Sequence, residues 1–133
     1  MSKKIDHIGI AVKDLQKGIE NYEKILGLQC SGTEEVSEQK VRIGMIPIQD
    51  TTIELLEPTQ DDSPVAKFIE NKGEGFHHIA IEVENIEEEL NRLKSEDIRL
   101  IDEKYRIGAH GAKIAFIHPK SMGGLLVELV QRD

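Results

Sequence analysis

Two histidines and two glutamates occupy matching positions in a sequence that repeats itself. Asp6-His7-Ile8-Gly9-Ile10-Ala11-Val12 and His77-His78-Ile79-Ala80-Ile81-Glu82-Val83 share the frame His-Ile-small-Ile-x-Val, and Ile53-Glu54-Leu55 is answered by Val127-Glu128-Leu129. The histidines lie 71 positions apart and the glutamates 74, a mismatch that a three-residue insertion absorbs. A carboxylate on the inward face of a short apolar strand is costly unless it is paired or binds a metal. One such glutamate, or one strand histidine, is ordinarily a structural or surface residue. The same types repeated in register in both halves call for another explanation. His7, Glu54, His78 and Glu128 together make a donor set suited to a divalent first-row ion such as Zn, Co, Mn or Ni, with positions left for water or substrate. If an approximate two-fold axis relates the halves, the two histidines come from equivalent places and can meet at the seam.

The other chemistry-bearing residues are weaker candidates. His77 points away from His78 by strand alternation and reads as structural, while His110 and His118 fall in loops and read as exposed. Cys30 is the single cysteine, so it forms no disulfide within the chain. A net charge of −8 argues against broad attraction to nucleic acid or an anionic membrane. A polyanion would need a local basic pocket, for which Lys40 with Arg42, and Lys104, Arg106, Lys113 and Lys120, are the available clusters. With 38% apolar and 32% charged residues in a length of 133, one ordinary domain with a real core is expected. No apolar run approaches a membrane span, and the N-terminal residues carry no signal-peptide core, so cytoplasmic residence is the expectation.

The elements that must position these residues follow from periodicity. Residues 5–12 alternate as a strand. Asp14 is an N-cap for a helix carrying Leu15, Ile19, Tyr22, Ile25 and Leu26, closed by Gly27. A weak strand or irregular connection covers 28–39, and strands at 41–48 and 51–57 are joined by a short turn. Ser63-Pro64 opens a short helix over 65–71. The second copy runs as a strand at 78–83, a helix at 86–94, a short strand at 98–101, a glycine-containing loop at 102–112, and strands at 113–117 and 125–130. Each half is thus βαβββ, about 5–58 and 76–131. The expected fold is a single α+β domain of two pseudo-two-fold-related modules whose curved sheets enclose a metal-centred cavity.

The repeats, together with Ile53-Glu54-Leu55-Leu56-Glu57-Pro58, Gly75-Phe76-His77-His78, His118-Pro119-Lys120-Ser121 and Leu125-Leu126-Val127-Glu128-Leu129, resemble the vicinal oxygen chelate (glyoxalase/bleomycin resistance) superfamily and, within it, the methylmalonyl-CoA epimerases. The double histidine and the His-Pro-Lys-Ser turn are the more specific part. The resemblance implies that His7, His78 and Glu128 bind a divalent metal, cobalt favoured over zinc, manganese or nickel, with Glu54 as fourth ligand. It further implies a homodimer and Glu128 as one acid/base. The family pattern can place a second glutamate in the strand equivalent to Val41-Arg42-Ile43-Gly44-Met45, where this chain departs from it and has no carboxylate; Glu54, related to Glu128 by the pseudo-two-fold and so across the metal from it, is the expected second acid/base. Coenzyme A is a polyanion, which makes Lys113, Lys120 and Ser121 expected substrate contacts. A glyoxalase I-type lactoylglutathione lyase and a non-catalytic ligand-binding module are the alternatives.

Overall fold

A computed structural model describes residues 2–133. The elements in order are β1 (Ser2–Ala11), α1 (Leu15–Leu26), β2 (Gly32–Val36), β3 (Val41–Ile48), β4 (Thr51–Pro58), α2 (Pro64–Lys72), β5 (Gly75–Val83), α3 (Ile86–Ser95), β6 (Arg106–Ile107), β7 (Lys113–Ile117) and β8 (Val127–Gln131). The protein is α+β, with two compact units. One comprises 7–77; the other comprises 78–133 with the described residues up to Asp6, so β1 runs through both.

In the unit of 7–77 the strand order is β2-β3-β4-β1, with β1 parallel to β4 and the other pairs antiparallel. The expected caps close α1: the Asp14 carboxylate accepts from the Lys17 N–H at 3.1 Å, and Gly27 adopts φ 68°. Leu15 and Ile19, one helical turn apart, pack with Val12, Ile46 and Leu55 into a core on one face of the sheet. Gly44 permits this approach, because a Cβ there would lie 2.9 Å from Leu15 Cδ1 and 3.1 Å from Ile19 Cδ1. β3 and β4 form a hairpin whose two-residue turn, Gln49-Asp50, has Gln49 at φ 50°, the left-handed geometry that suits strand twist. Ser63 caps α2 through the Ala66 N–H at 2.9 Å, and Pro64 is the first helical residue.

In the other unit the order is β5-β8-β7-β6, again with the first pair parallel and the rest antiparallel. Ile86 and Leu90 of α3 pack with Val83, Ala115, Ile117, Val127 and Leu129 on one sheet face, while Ala80, Ala112, Ile114 and Val130 cluster on the opposite face.

The third strand of this unit is not at 98–101. Only Leu100 bridges to Ile117 there, and the strand pairing with β7 is β6 at Arg106–Ile107, inside the stretch expected to be loop. The cause lies at Asp102, whose carboxylate accepts the Phe116 N–H at 2.9 Å. A side chain has taken the donor that a partner strand would use, while Ile101 and Asp102 both donate to the Phe116 carbonyl. Regular pairing therefore stops and resumes four residues later. β8 likewise begins at Val127 rather than 125, because the Leu125 N–H is committed to the Met122 carbonyl in the preceding turn.

The repeat extends to one detail that periodicity does not show. Glu57, three residues after Glu54, accepts the Leu15 N–H at 2.8 Å, and Gln131, three after Glu128, accepts the Ile86 N–H at 2.9 Å. Each glutamate-bearing strand is thus tied by its own end to the first residue of its module's helix, satisfying a backbone donor with no intrahelical partner.

Candidate functional site

Strand register explains how each module builds a His–Glu pair. In the first, Gly9 lies opposite Glu54 across the parallel β1/β4 ladder, and His7 is two residues before Gly9 on the same face. In the second, Ala80 lies opposite Glu128 on β8, with His78 two residues before it. Placing glycine or alanine beside the glutamate leaves room for the imidazole to lean diagonally across the ladder. His7 Nε2 stands 3.5 Å from Glu54 Oε1, and His78 Nε2 stands 2.9 Å from Glu128 Oε1.

All four residues are buried, none more than 6% exposed. Both glutamates sit on the sheet face turned away from their module's helix. Glu54 neighbours Met45 on β3, Glu128 neighbours Phe116 on β7, and the Phe116 ring meets His78 edge-on at 5.7 Å. Charged groups in such apolar surroundings are unfavourable without a compensating partner. The donor chemistry fits a metal: metal–ligand bonds of about 2.0–2.2 Å put adjacent ligand atoms about 3 Å apart, close to the spacing within each pair. Within each unit the histidine Nε2 and the glutamate Oε1 are the atoms that could bind an ion.

The remaining candidates fall outside these pairs. His77 packs edge-on against Phe68 of α2 at 4.9 Å, as a structural residue does. His110 is exposed, with φ 56°. His118, in place of simple loop exposure, is half-buried and caps the 3₁₀ turn Pro119–Met122, its Nδ1 accepting the Lys120 N–H at 3.1 Å. That bond requires the neutral ring. Partial burial, then the nearby Arg99 and Lys120 charges, hold the His118 pKa below the usual histidine value. Sequence reading passed over this role, although a histidine before proline in a glycine-closed turn is a capping signal of the kind Asn and Ser give.

Lys120 is exposed on this turn, and the Ser121 hydroxyl donates to the Arg99 carbonyl at 2.9 Å, which leaves its lone pairs to accept from a ligand. Lys113 lies on β7 with its Nζ 5.0 Å over the Tyr105 ring. In the first module the basic pair is locally neutralised: Lys40 bonds Asp62, holding that carboxyl below its usual range, and Arg42 pairs with Glu35 at 3.2 Å.

Comparison with known proteins adds an independent line. The sequence pattern of the Glyoxalase/Bleomycin resistance protein/Dioxygenase superfamily matches residues 6–116. The human protein named methylmalonyl-CoA epimerase, mitochondrial, is 44% identical over 96% of this chain and 73% of its own length. The ethylmalonyl-CoA/methylmalonyl-CoA epimerase of Cereibacter sphaeroides is 38% identical over 98% of this chain and 99% of its own. A solved structure of methylmalonyl-CoA epimerase in complex with methylmalonyl-CoA and NH4+ superposes with a TM-score of 0.95 at 37% identity, covering 98% of this chain and 95% of that one.

Proposed function

Because this chain belongs to the Glyoxalase/Bleomycin resistance protein/Dioxygenase superfamily, we propose that it is an isomerase that interconverts the two epimers of methylmalonyl-CoA. The observation that carries the reading is the buried His–Glu pair, present once in each module, in a chain whose relatives over nearly its whole length carry the epimerase name. The metal ligands we assign are His7 and Glu54 from one module and His78 and Glu128 from the other.

When bound, a divalent ion supplies a Lewis acid for the oxygens flanking the carbon to be inverted, which lies between a thioester carbonyl and a carboxylate. The chain must then take a proton from one face of that carbon and return one to the other. Glu128 serves one face and Glu54 the other. Glu54 is assigned because β3, the strand beside it, offers Val41, Ile43, Met45 and Ile46 to the interior and no carboxylate. His7 and His78 hold position and exchange no proton with substrate. The apolar neighbours Met45 and Phe116 lower the local polarity around each pair, which strengthens its electrostatic interaction with the substrate. Lys120, Lys113 and the Ser121 lone pairs contact the anionic and amide portions of the thioester's carrier. Cobalt as the preferred ion, a homodimer and cytoplasmic residence belong to the same reading; among the described residues no helix is long and apolar enough to cross a membrane.

The lactoylglutathione lyase and sequestering-module alternatives are not favoured, because the relatives that match nearly the whole of this chain at 38% and 44% identity carry the epimerase name. The test is solvent-deuterium incorporation into methylmalonyl-CoA by Co²⁺-reconstituted protein, beside a chelated control and an assay with methylglyoxal plus glutathione. Metal-dependent exchange next to the thioester supports the reading. Lactoylglutathione formation without such exchange would overturn it.

A further inference from the structure

We propose that Asp6 and Arg132 form a clasp that positions His7 for metal binding, an inference that rests on reading His7 as a ligand. Asp6 is 6% exposed, yet it carries a carboxylate. Arg132, immediately after β8, satisfies it with a fork: Nε donates to Oδ1 at 2.7 Å and Nη2 to Oδ2 at 2.8 Å, across 126 residues of sequence. Most surface ion pairs contribute little. This one is bidentate and buried on the acid side, the geometry in which an arginine fixes orientation as well as charge.

The consequence falls on the next residue. Successive side chains of a strand leave opposite faces of one pleated backbone, so locking Asp6 on its face sets the direction in which His7 leaves the other. A ligand held in its binding direction before the ion arrives loses less freedom on coordination, and the ion is held more tightly.

The second copy has a counterpart built from different chemistry. There the residue before the ligand histidine is His77, and it is locked against the Phe68 ring at 4.9 Å with the planes 74° apart. Both proposed histidine ligands thus follow a residue anchored by a specific contact, an ion pair in one copy and an aromatic edge in the other. Asp6 and Arg132 touch neither metal nor substrate in this scheme, and both are positioning residues.

The test compares apo wild type, Arg132→Met and Arg132→Lys by titration with Co²⁺, read by the visible absorption of the bound ion and by calorimetry, with urea unfolding of each apo protein alongside. Support is a Co²⁺ affinity lowered about tenfold in Arg132→Met, in the lower range for changes to residues that orient ligands, with stoichiometry kept and an altered Co²⁺ spectrum. Arg132→Lys, which retains charge but not the fork, should fall between. A lowered urea midpoint with wild-type Co²⁺ affinity and spectrum would make the clasp structural only and overturn the proposal while leaving the metal reading intact. Should Arg132→Met not fold, Arg132→Lys decides: unchanged affinity overturns the proposal, and a twofold to threefold loss supports it. Wild type that binds no Co²⁺ overturns both.

Discussion

Replacing Glu54 by glutamine tests the two-base scheme at its least familiar point. Glutamine keeps the side-chain length and the Oε1 that faces His7 Nε2 at 3.5 Å, so an oxygen ligand survives while the group that accepts a proton does not. Glu54 is 6% exposed, and Gly9 and Met45 are its cross-strand neighbours, neither of which can replace it as a base. Loss of a positioned acid/base costs about 100- to 10,000-fold in rate, or about 3 to 5 kcal/mol in the barrier at about 1.4 kcal/mol per tenfold. Glu54→Gln should therefore lose epimerisation to that degree while binding Co²⁺ with stoichiometry one. The informative assay starts from each epimer separately in D₂O and follows the mass shift. With one base intact, the variant still washes deuterium into one epimer without inverting it, and Glu128→Gln does so with the other epimer. Full epimerisation by Glu54→Gln, or deuterium entering the same epimer in both variants, would refute the assignment.

Other consequences concern the scaffold. Glu57→Ala and Gln131→Ala each orphan the first N–H of a helix and should lower stability by about 1–2 kcal/mol by urea unfolding; Glu57→Gln, which keeps the acceptor, should cost less. Gly44→Ala pushes a methyl against Leu15 and Ile19 at 2.9 and 3.1 Å; since both contacts are side-chain ends that can give, the expected loss is about 1–2 kcal/mol, and a more stable variant would show that α1 is not held this close to β3. His118, its pKa lowered chiefly by partial burial and then by Arg99 and Lys120, should titrate by NMR below about 6.5. Because the folded value is the depressed one, its contribution to stability is present above that ordinary value and is lost as pH falls through the folded value. His118→Asn, which can still accept from the Lys120 N–H, should remove this titration and keep the turn.

Much of this protein is local. The spacing of Leu15, Ile19 and Tyr22, the Asp14 and Ser63 caps and the Gly27 stop depend on residues within a turn or two, and helices form accordingly at Leu15–Leu26 and Pro64–Lys72. The His–Glu repeat was legible for a related reason: both copies solve one steric problem with a small residue opposite the glutamate, and that leaves the same pattern twice. Tertiary structure decided the rest. Strand β6 at Arg106–Ile107, in place of one at 98–101, depends on where Asp102 finds the Phe116 N–H, fourteen residues away. The Glu57 and Gln131 ties to the helix starts span 42 and 45 residues, and the Asp6–Arg132 clasp spans 126. Periodicity reports which face a side chain takes; it carries no information about which distant donor that side chain will meet, because only the packed chain brings the two within hydrogen-bond reach.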